Sequence, residues 1–379
     1  MALDAARATM CTIGGGPAVP GWKGRGRLAG STVGIVANPA SGRDIRRLVS
    51  GASVFDNAEK GSMILRLLAG LGAVGVNRTV VMPAGDGVAD SLLRNLRGRT
   101  GALAAQPLPE LEFLDMTVRG DADDTTRAVT AMREQGASAI VVLGGDGTHR
   151  VVAKGCRDVP LCAISTGTNN AFPELREATV AGLAAGLVAT GRVDPLRSLR
   201  REKLLRVVVG GERTDCALVD VALSSDRWIG ARALWRPGDL SEAFVTFASP
   251  CGVGLSAAAG QIDPVPRDAA WGLHLRLAPP ERAASVVTAA LAPGLVTAVG
   301  VDEVRRIRPG EVVETESPGA GCVALDGERE IELGGGEDVR VTLDEGPLVI
   351  DVGGVMAQAA ALHLLNGASP GRSGSTAHT

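Results

Sequence analysis

Tyrosine is absent from this 379-residue chain, and aromatic residues make up only 2% of it. A stacking platform for single-stranded nucleic acid needs aromatic faces, so none is expected. Formal net charge is −3, which leaves no basic excess to draw the chain to nucleic acid or to an anionic membrane. Histidine is scarce, at 4 residues, and the 6 cysteines (Cys11, Cys156, Cys162, Cys216, Cys251 and Cys322) form no C-x-x-C pair. That argues against a structural zinc site and for reduced thiols packed as small apolar groups in a cytoplasmic protein. Long apolar runs are missing too. The longest weakly polar stretch, residues 283–301, is broken by Pro293-Gly294 and reads as helix, turn and strand rather than as a membrane span. Residues 1–10 lack the sustained apolar core of a signal peptide.

What is present is typical of a soluble globular protein, with 45% hydrophobic and 21% charged residues. The length exceeds what one ordinary core accommodates, so two domains are expected. Residues 1–30 read as a disordered extension and residues 367–379 as a disordered tail. From 31 to 197, apolar β-type runs such as "TVGIVANP", "RTVVMP", "LEFLDM", "SAIVVL" and "VPLCAI" alternate with helical segments such as "AEKGSMILRLLAGLG" and "EATVAGLAAGLVATG". This alternation predicts an α/β, Rossmann-like nucleotide domain built on a parallel sheet. From 198 to 350 short strand-like runs follow one another, which predicts a β-rich, sandwich-like substrate domain. "KLLRVVVGGERTDCALVDVALS" reads there as two strands joined at Gly210-Gly211, and "WIGARALW" as a further strand. A last helix, residues 351–366, is placed to return to the first domain.

Three loops carry the chemistry. They follow the first, fourth and fifth strands of the α/β part, where ligands bind in parallel sheets. Asn38, Ser41 and Gly42 lie in the first, Gly144, Gly145, Asp146, Gly147 and Thr148 in the second, and Thr166, Gly167, Thr168, Asn169 and Asn170 in the third. Small residues let backbone N–H groups approach anionic oxygens, and the hydroxyls and amides add neutral donors. The middle loop lacks the spacing and the lysine of a Walker A motif, and it is not G-x-G-x-x-G. Asp146 therefore has three chemically sensible roles: general base toward a hydroxyl, holder of a phosphate-bound Mg²⁺, or N-cap of the following helix. Arg43, just after the first loop, reads as a solvated surface residue, with a phosphate contact as the alternative.

"GGDGT" after an apolar strand resembles the nucleotide-binding signature of the superfamily that joins NAD kinases with diacylglycerol and sphingosine kinases. "NPASG" at 38–42 and "STGTNNAFP" at 165–173 are similar to that superfamily's first and second flanking loops. "NPASGRDIRRLVSGASVFDN" and "AFPELREATVAGLAAGL" resemble the NAD-kinase-like branch associated with acetoin catabolism. The resemblance implies an N-terminal α/β domain, a C-terminal β-rich domain and a nucleotide cleft between them. It implies ATP with Mg²⁺ as phosphate donor, NAD as substrate, and Asp146 as the residue that activates the ribose 2′-hydroxyl.

In the second half, "SPCGVGLSAAAGQIDP", which contains Gly252, resembles a degenerate nucleotide-contacting segment of NAD kinases. "ALVDVAL" resembles their Ala-Leu-Asn-Glu strand, with Asp220 in place of the Glu and Val219 in place of the Asn, whose hydrogen bonds Val cannot make. "LDGERE" resembles the Asp-Gly-Glu turn of the lipid kinases, which makes Asp326 and Glu328 substrate-site candidates; an ordinary hairpin turn explains the same residues. The expected reaction is phosphoryl transfer from ATP to NAD, giving NADP, with small-molecule nucleotides as partners, no metal ligands assigned and a homo-oligomer left open. A non-catalytic nucleotide-binding protein on the same scaffold and a lipid kinase are the alternatives.

Overall fold

The computed structural model describes residues 31–41, 55–83, 87–226, 237–316 and 319–366. The expected extension at 1–30, the tail at 367–379, the strand-like "WIGARALW", Gly42 and Arg43 lie outside these residues.

Five apolar segments form parallel strands: β1 (Thr32–Ala37), β2 (Arg78–Val81), β3 (Glu110–Phe113), β4 (Ala139–Gly144) and β5 (Leu161–Ser165). Their order in the sheet is β3-β2-β1-β4-β5. β1 and β4 are buried from end to end, which is why their sequences run apolar without alternation. The longer helices among the described residues of this half are α1 (Asn57–Ala73), α2 (Val88–Arg97), α3 (Ala122–Glu134), α4 (Asp146–Cys156) and α5 (Ala178–Ala189). α1, α2 and α5 pack Ile64, Leu68, Leu92 and Ala181 on Val33, Ile35 and Val141. On the opposite face α3 and α4 pack Val129, Met132 and Val152 on Val36, Ile140 and Val142. Local signals set the helix ends. At the start of α3 the Asp121 carboxylate accepts from the Asp124 amide, and Gly136 at φ 85° carries the chain away past its end.

The second half is antiparallel. β6 (Leu199–Val209), β7 (Arg213–Ala217), β8 (Asp220–Ser224) and β9 (Leu240–Val245) come first. The short helix α6 (Leu255–Gly260) precedes β10 (Gly272–Ala278), β11 (Ser285–Ala292) and β12 (Leu295–Ile307). β13 (Val312–Glu316), β14 (Gly321–Leu325), β15 (Glu328–Leu333) and β16 (Asp338–Ile350) complete it, and helix α7 (Val352–Ala361) follows. Seven of these strands form one sheet in the order β11-β12-β10-β9-β8-β14-β15. Between it and the β6–β16 ribbon lies a core of Leu205, Val207, Phe244, Val323, Val341 and Leu343.

Two expectations change. Within residues 283–292, Ser285–Ala292 form strand β11 and not a helix: Val286 and Thr288 are exposed, Ala289 and Leu291 are buried, and the register with β12 is antiparallel. The Ala content suggested a helix, but Ser285, Val286, Val287 and Thr288 favour the pleated, half-buried surface they occupy. "TDCALVDVALS" is not one strand either. It breaks at Leu218-Val219 into β7 in one sheet and β8 in the other.

β16 joins the two halves. It pairs antiparallel with β6 along most of its length and with β13 near its start, and at Val349 it runs parallel to Leu161 of β5. α7 then lays Val352, Val355 and Ala359 into the same core as β1 and β4. No helix of the described residues is long and apolar enough to cross a membrane.

Candidate active site

In the order β3-β2-β1-β4-β5 the winding changes direction between β1 and β4. Such a switch point opens a crevice beyond the carboxyl ends of the strands. The register Ala37↔Leu143 and Gly144↔Ser165 brings the ends of β1, β4 and β5 level, so their three loops meet there.

Neutral hydrogen bonds join them. The Asn38 side-chain amide donates to Thr148 Oγ1 at 2.9 Å, and the Ser41 and Thr166 hydroxyls lie 3.1 Å apart. The Thr166 amide donates to the Gly144 carbonyl at 3.1 Å. Asn170 donates to Ser165 Oγ at 2.6 Å. Gly145 and Gly167 are glycines because these loops touch. A Cβ on Gly145 would meet Asn170 Oδ1 at 2.9 Å, and one on Gly167 would meet the same oxygen at 2.6 Å and the Gly145 Cα at 3.0 Å. Thr168 and Asn169 stand in the same third loop, and the Asn169 Oδ1 is buried with no hydrogen-bond partner. Gly42 lies outside the described residues.

Lys60 was not singled out in the sequence, yet it closes the first loop. It is fully buried on α1, and its ammonium donates to the Asn38 carbonyl at 3.0 Å, to the Ser41 carbonyl at 2.9 Å and to Asn57 Oδ1 at 3.2 Å. A signal was available: Lys60, Ile64, Leu67 and Leu71 share the buried face of α1 at helical spacing, so a cation there needs partners.

Asp146 is the first residue of α4, with Gly145 as the N-cap. Its carboxylate does not cap that helix. It accepts from the Phe172 amide at 2.8 Å (Oδ1) and from the Ala171 amide at 3.0 Å (Oδ2), so it grips the end of the third loop. One turn further on, His149 is fully buried, with Nδ1 2.8 Å from the Gly145 carbonyl. Burial pushes the imidazole down to about 4, with Arg267 acting the same way and the Gly145 carbonyl opposing, so His149 is neutral at physiological pH.

The second domain brings carboxylates to this point. The β14–β15 turn has Asp326 at φ 53° and Gly327 at φ 75°, the positive-φ pair of a type I′ hairpin, which a D-G dipeptide suits. Asp326 Oδ1 accepts from the Val219 amide at 2.7 Å and the Leu218 amide at 2.9 Å, while Oδ2 is buried and accepts no hydrogen bond. The Asp326 amide bonds to the Asp220 carbonyl, and the Gly327 amide to Asp220 Oδ1 at 3.1 Å. Glu328 lies over the middle loop, since a Cβ on Gly147 would come within 3.4 Å of its carboxylate. Burial raises the Asp326 carboxyl well above the ordinary range; the Arg150 guanidinium opposes this, and Asp146 and Asp220 add to it.

Arg150 of α4, another residue with no signature in the sequence, answers this negative charge. It is buried, donates to Glu330 Oε1 at 2.6 Å and to the Leu325 carbonyl at 3.3 Å, and lies 3.9 Å from Asp326 Oδ2. Asp146, Asp220, Asp326 and Glu328 therefore converge from two domains. Val219 supplies only its backbone here, and its side chain is buried with Phe172, Phe247 and Val349 at the domain junction. Gly252 lies in a turn where its amide bonds to the Ser249 carbonyl, just ahead of α6.

Residues 33–193 match the ATP-NAD kinase N-terminal domain, and residues 203–346 match the acetoin catabolism protein X C-terminal domain. Acetoin catabolism protein X of Cupriavidus necator is 44% identical over 338 residues, covering 88% of this chain and 93% of that protein. A solved structure from Bacillus anthracis, described as a candidate diacylglycerol kinase, aligns with 84% of this chain and 96% of its own at 15% identity, with a TM-score of 0.38. With an NAD-kinase-type first domain and a relative of this identity over nearly its whole length, the chain belongs to the acetoin catabolism protein X family.

Proposed function

We propose that this protein transfers a phosphoryl group from ATP to a hydroxyl, and that the acceptor is the adenosine ribose 2′-hydroxyl of NAD. The observation that carries the reading is the position of Asp146, where the neutral loops after β1, β4 and β5 meet the acidic turn of the second domain. Neutral hydroxyls and amides suit phosphate and ribose oxygens, and phosphoryl transfer depends on positioning and charge stabilisation more than on covalent chemistry. Asp146, held by two backbone amides, is oriented to accept the proton of an attacking hydroxyl, and Glu328 lies close enough to the same loop to assist.

The donor set also fits a magnesium nucleotide. Lys60, which closes the first loop from α1, donates to the Asn38 and Ser41 carbonyls and to Asn57. Among the described residues no three His, Cys, Asp or Glu side chains gather as a ready-made metal cage. Mg²⁺ that arrives on phosphates needs only one or two carboxylates, and Asp146 and Glu328 would face it. When bound it would neutralise phosphate charge.

The test is a coupled assay: incubation with Mg-ATP and NAD, with NADP read by an NADP-specific dehydrogenase. Asp146→Asn is expected to lower turnover about 10²- to 10⁴-fold without unfolding the protein. No product from either NAD or NADH removes NAD as acceptor. Product on diacylglycerol vesicles alone reassigns the acceptor to a lipid. Nucleotide binding without turnover on any acceptor makes the chain a binding protein.

A further inference from the structure

The third loop is held from two sides. Asp146 takes the amide N–H groups of Ala171 and Phe172, and Arg267, from the second domain, takes the carbonyls of the same two residues at 2.5 and 2.8 Å. Two consecutive residues, spanning three peptide units, thus lie between an acid of one domain and a basic side chain of the other. The Arg267 guanidinium also sits 4.3 Å from the Phe247 ring centroid and 5.3 Å from that of Phe172, which fixes its plane.

Arg267 is itself placed by a strap, residues 266–271, which two adjacent residues of β6 support. The Lys203 ammonium is buried and donates to the carbonyls of Pro266, Ala269 and Trp271 at 3.2, 2.7 and 3.0 Å. Glu202, also buried, accepts from Arg267 at 3.4 Å and from Arg200 at 2.7 Å. The strap is therefore anchored without Arg267, and Glu202 keeps Arg200 if Arg267 is removed. Removing Arg267 would release the loop carbonyls together with its own contacts to Glu202 and the two Phe rings, and would leave the anchors of the strap in place.

We propose that Arg267 is a positioning residue, through which the second domain sets the conformation of the loop at 165–173 and hence the affinity of the site for nucleotide. The nucleotide clause rests on the phosphotransfer reading; the loop clause does not.

Hydrogen exchange over 165–173 and calorimetric titration with Mg-ATP separate the two, on the full chain and three variants. In Arg267→Ala the loop amides exchange about tenfold faster while the rest of the protein keeps its protection. Its Kd for Mg-ATP rises about tenfold. Arg267→Lys, which keeps the charge but not the planar fork, recovers part of both. Arg306→Ala removes a guanidinium that stacks on Trp271 of the same strap and pairs with Asp263, and it changes neither. Unchanged loop exchange in folded Arg267→Ala overturns the proposal. So does a uniform rise in exchange across the molecule, which would make Arg267 merely structural. If the wild-type protein binds no ATP, the phosphotransfer reading falls and loop exchange alone decides the role of Arg267.

Discussion

The loops after β1, β4 and β5 are joined by neutral hydrogen bonds between Asn38 and Thr148, Ser41 and Thr166, and Asn170 and Ser165, whereas the turn they face is held by the buried Arg150 guanidinium, set between buried Asp326 and half-buried Glu330. The hydroxyls and amides that make these three bonds are uncharged groups of the kind that suit the oxygens of a polyanion. The charged side cannot lose a member cheaply, because each remaining group is left in a medium that does not solvate it. One side suits recognition and the other suits rigid placement of acids, and Asp146 stands on the border between them.

That contrast can be broken from either side. Arg150→Ala strikes the charged side and leaves Asp326 and Glu330 without their cation. It is expected to destabilise the protein by about 3 kcal/mol, read as a lower urea midpoint at unchanged m-value. The border gives a smaller effect that depends on pH. His149 is pushed down to about 4 in the folded chain from its usual 6.5, so the unfolded chain binds the extra proton. Stability from this group is present above pH 6.5 and is lost as pH falls toward 4, by roughly 2 kcal/mol between pH 7 and pH 5. Thermal unfolding at the two pH values should show a drop that shrinks in His149→Gln; an equal drop in both proteins removes His149 from the explanation. The smallest effect is on the neutral side. Thr148→Val deletes one neutral hydrogen bond and should cost about 1 kcal/mol. A Thr148→Val loss as large as that of Arg150→Ala would erase the distinction.

How much of this could be read in the sequence follows the same division. The fully buried strands β1 and β4 are legible as unbroken apolar runs, and the loops as clusters of Gly, Ser, Thr and Asn at their ends. The D-G turn at Asp326 is legible as well, because its positive φ values restrict the residues that fit. Residues that act through distant partners are not legible. Arg150 gains its role from Leu325, Asp326 and Glu330, about 175 residues away in sequence. Arg267 and Lys203 gain theirs from main-chain carbonyls, which leave no mark on residue identity. Strand β11 is not legible because its Ala residues favour a helix, and only the alternation of burial against β12 decides it.

The junction made by β16 bears on how the chain is synthesised. β5 gains its parallel neighbour at Val349, and the core beneath β1 and β4 is completed by Ile350, Val352, Val355 and Ala359. A nascent chain that has emerged only as far as residue 193 therefore exposes β5 as an open edge and leaves a gap in its core, the condition in which unpaired strands invite aggregation. The α/β half, although it leaves the ribosome before the β-rich half, is among the last parts of the molecule to be finished.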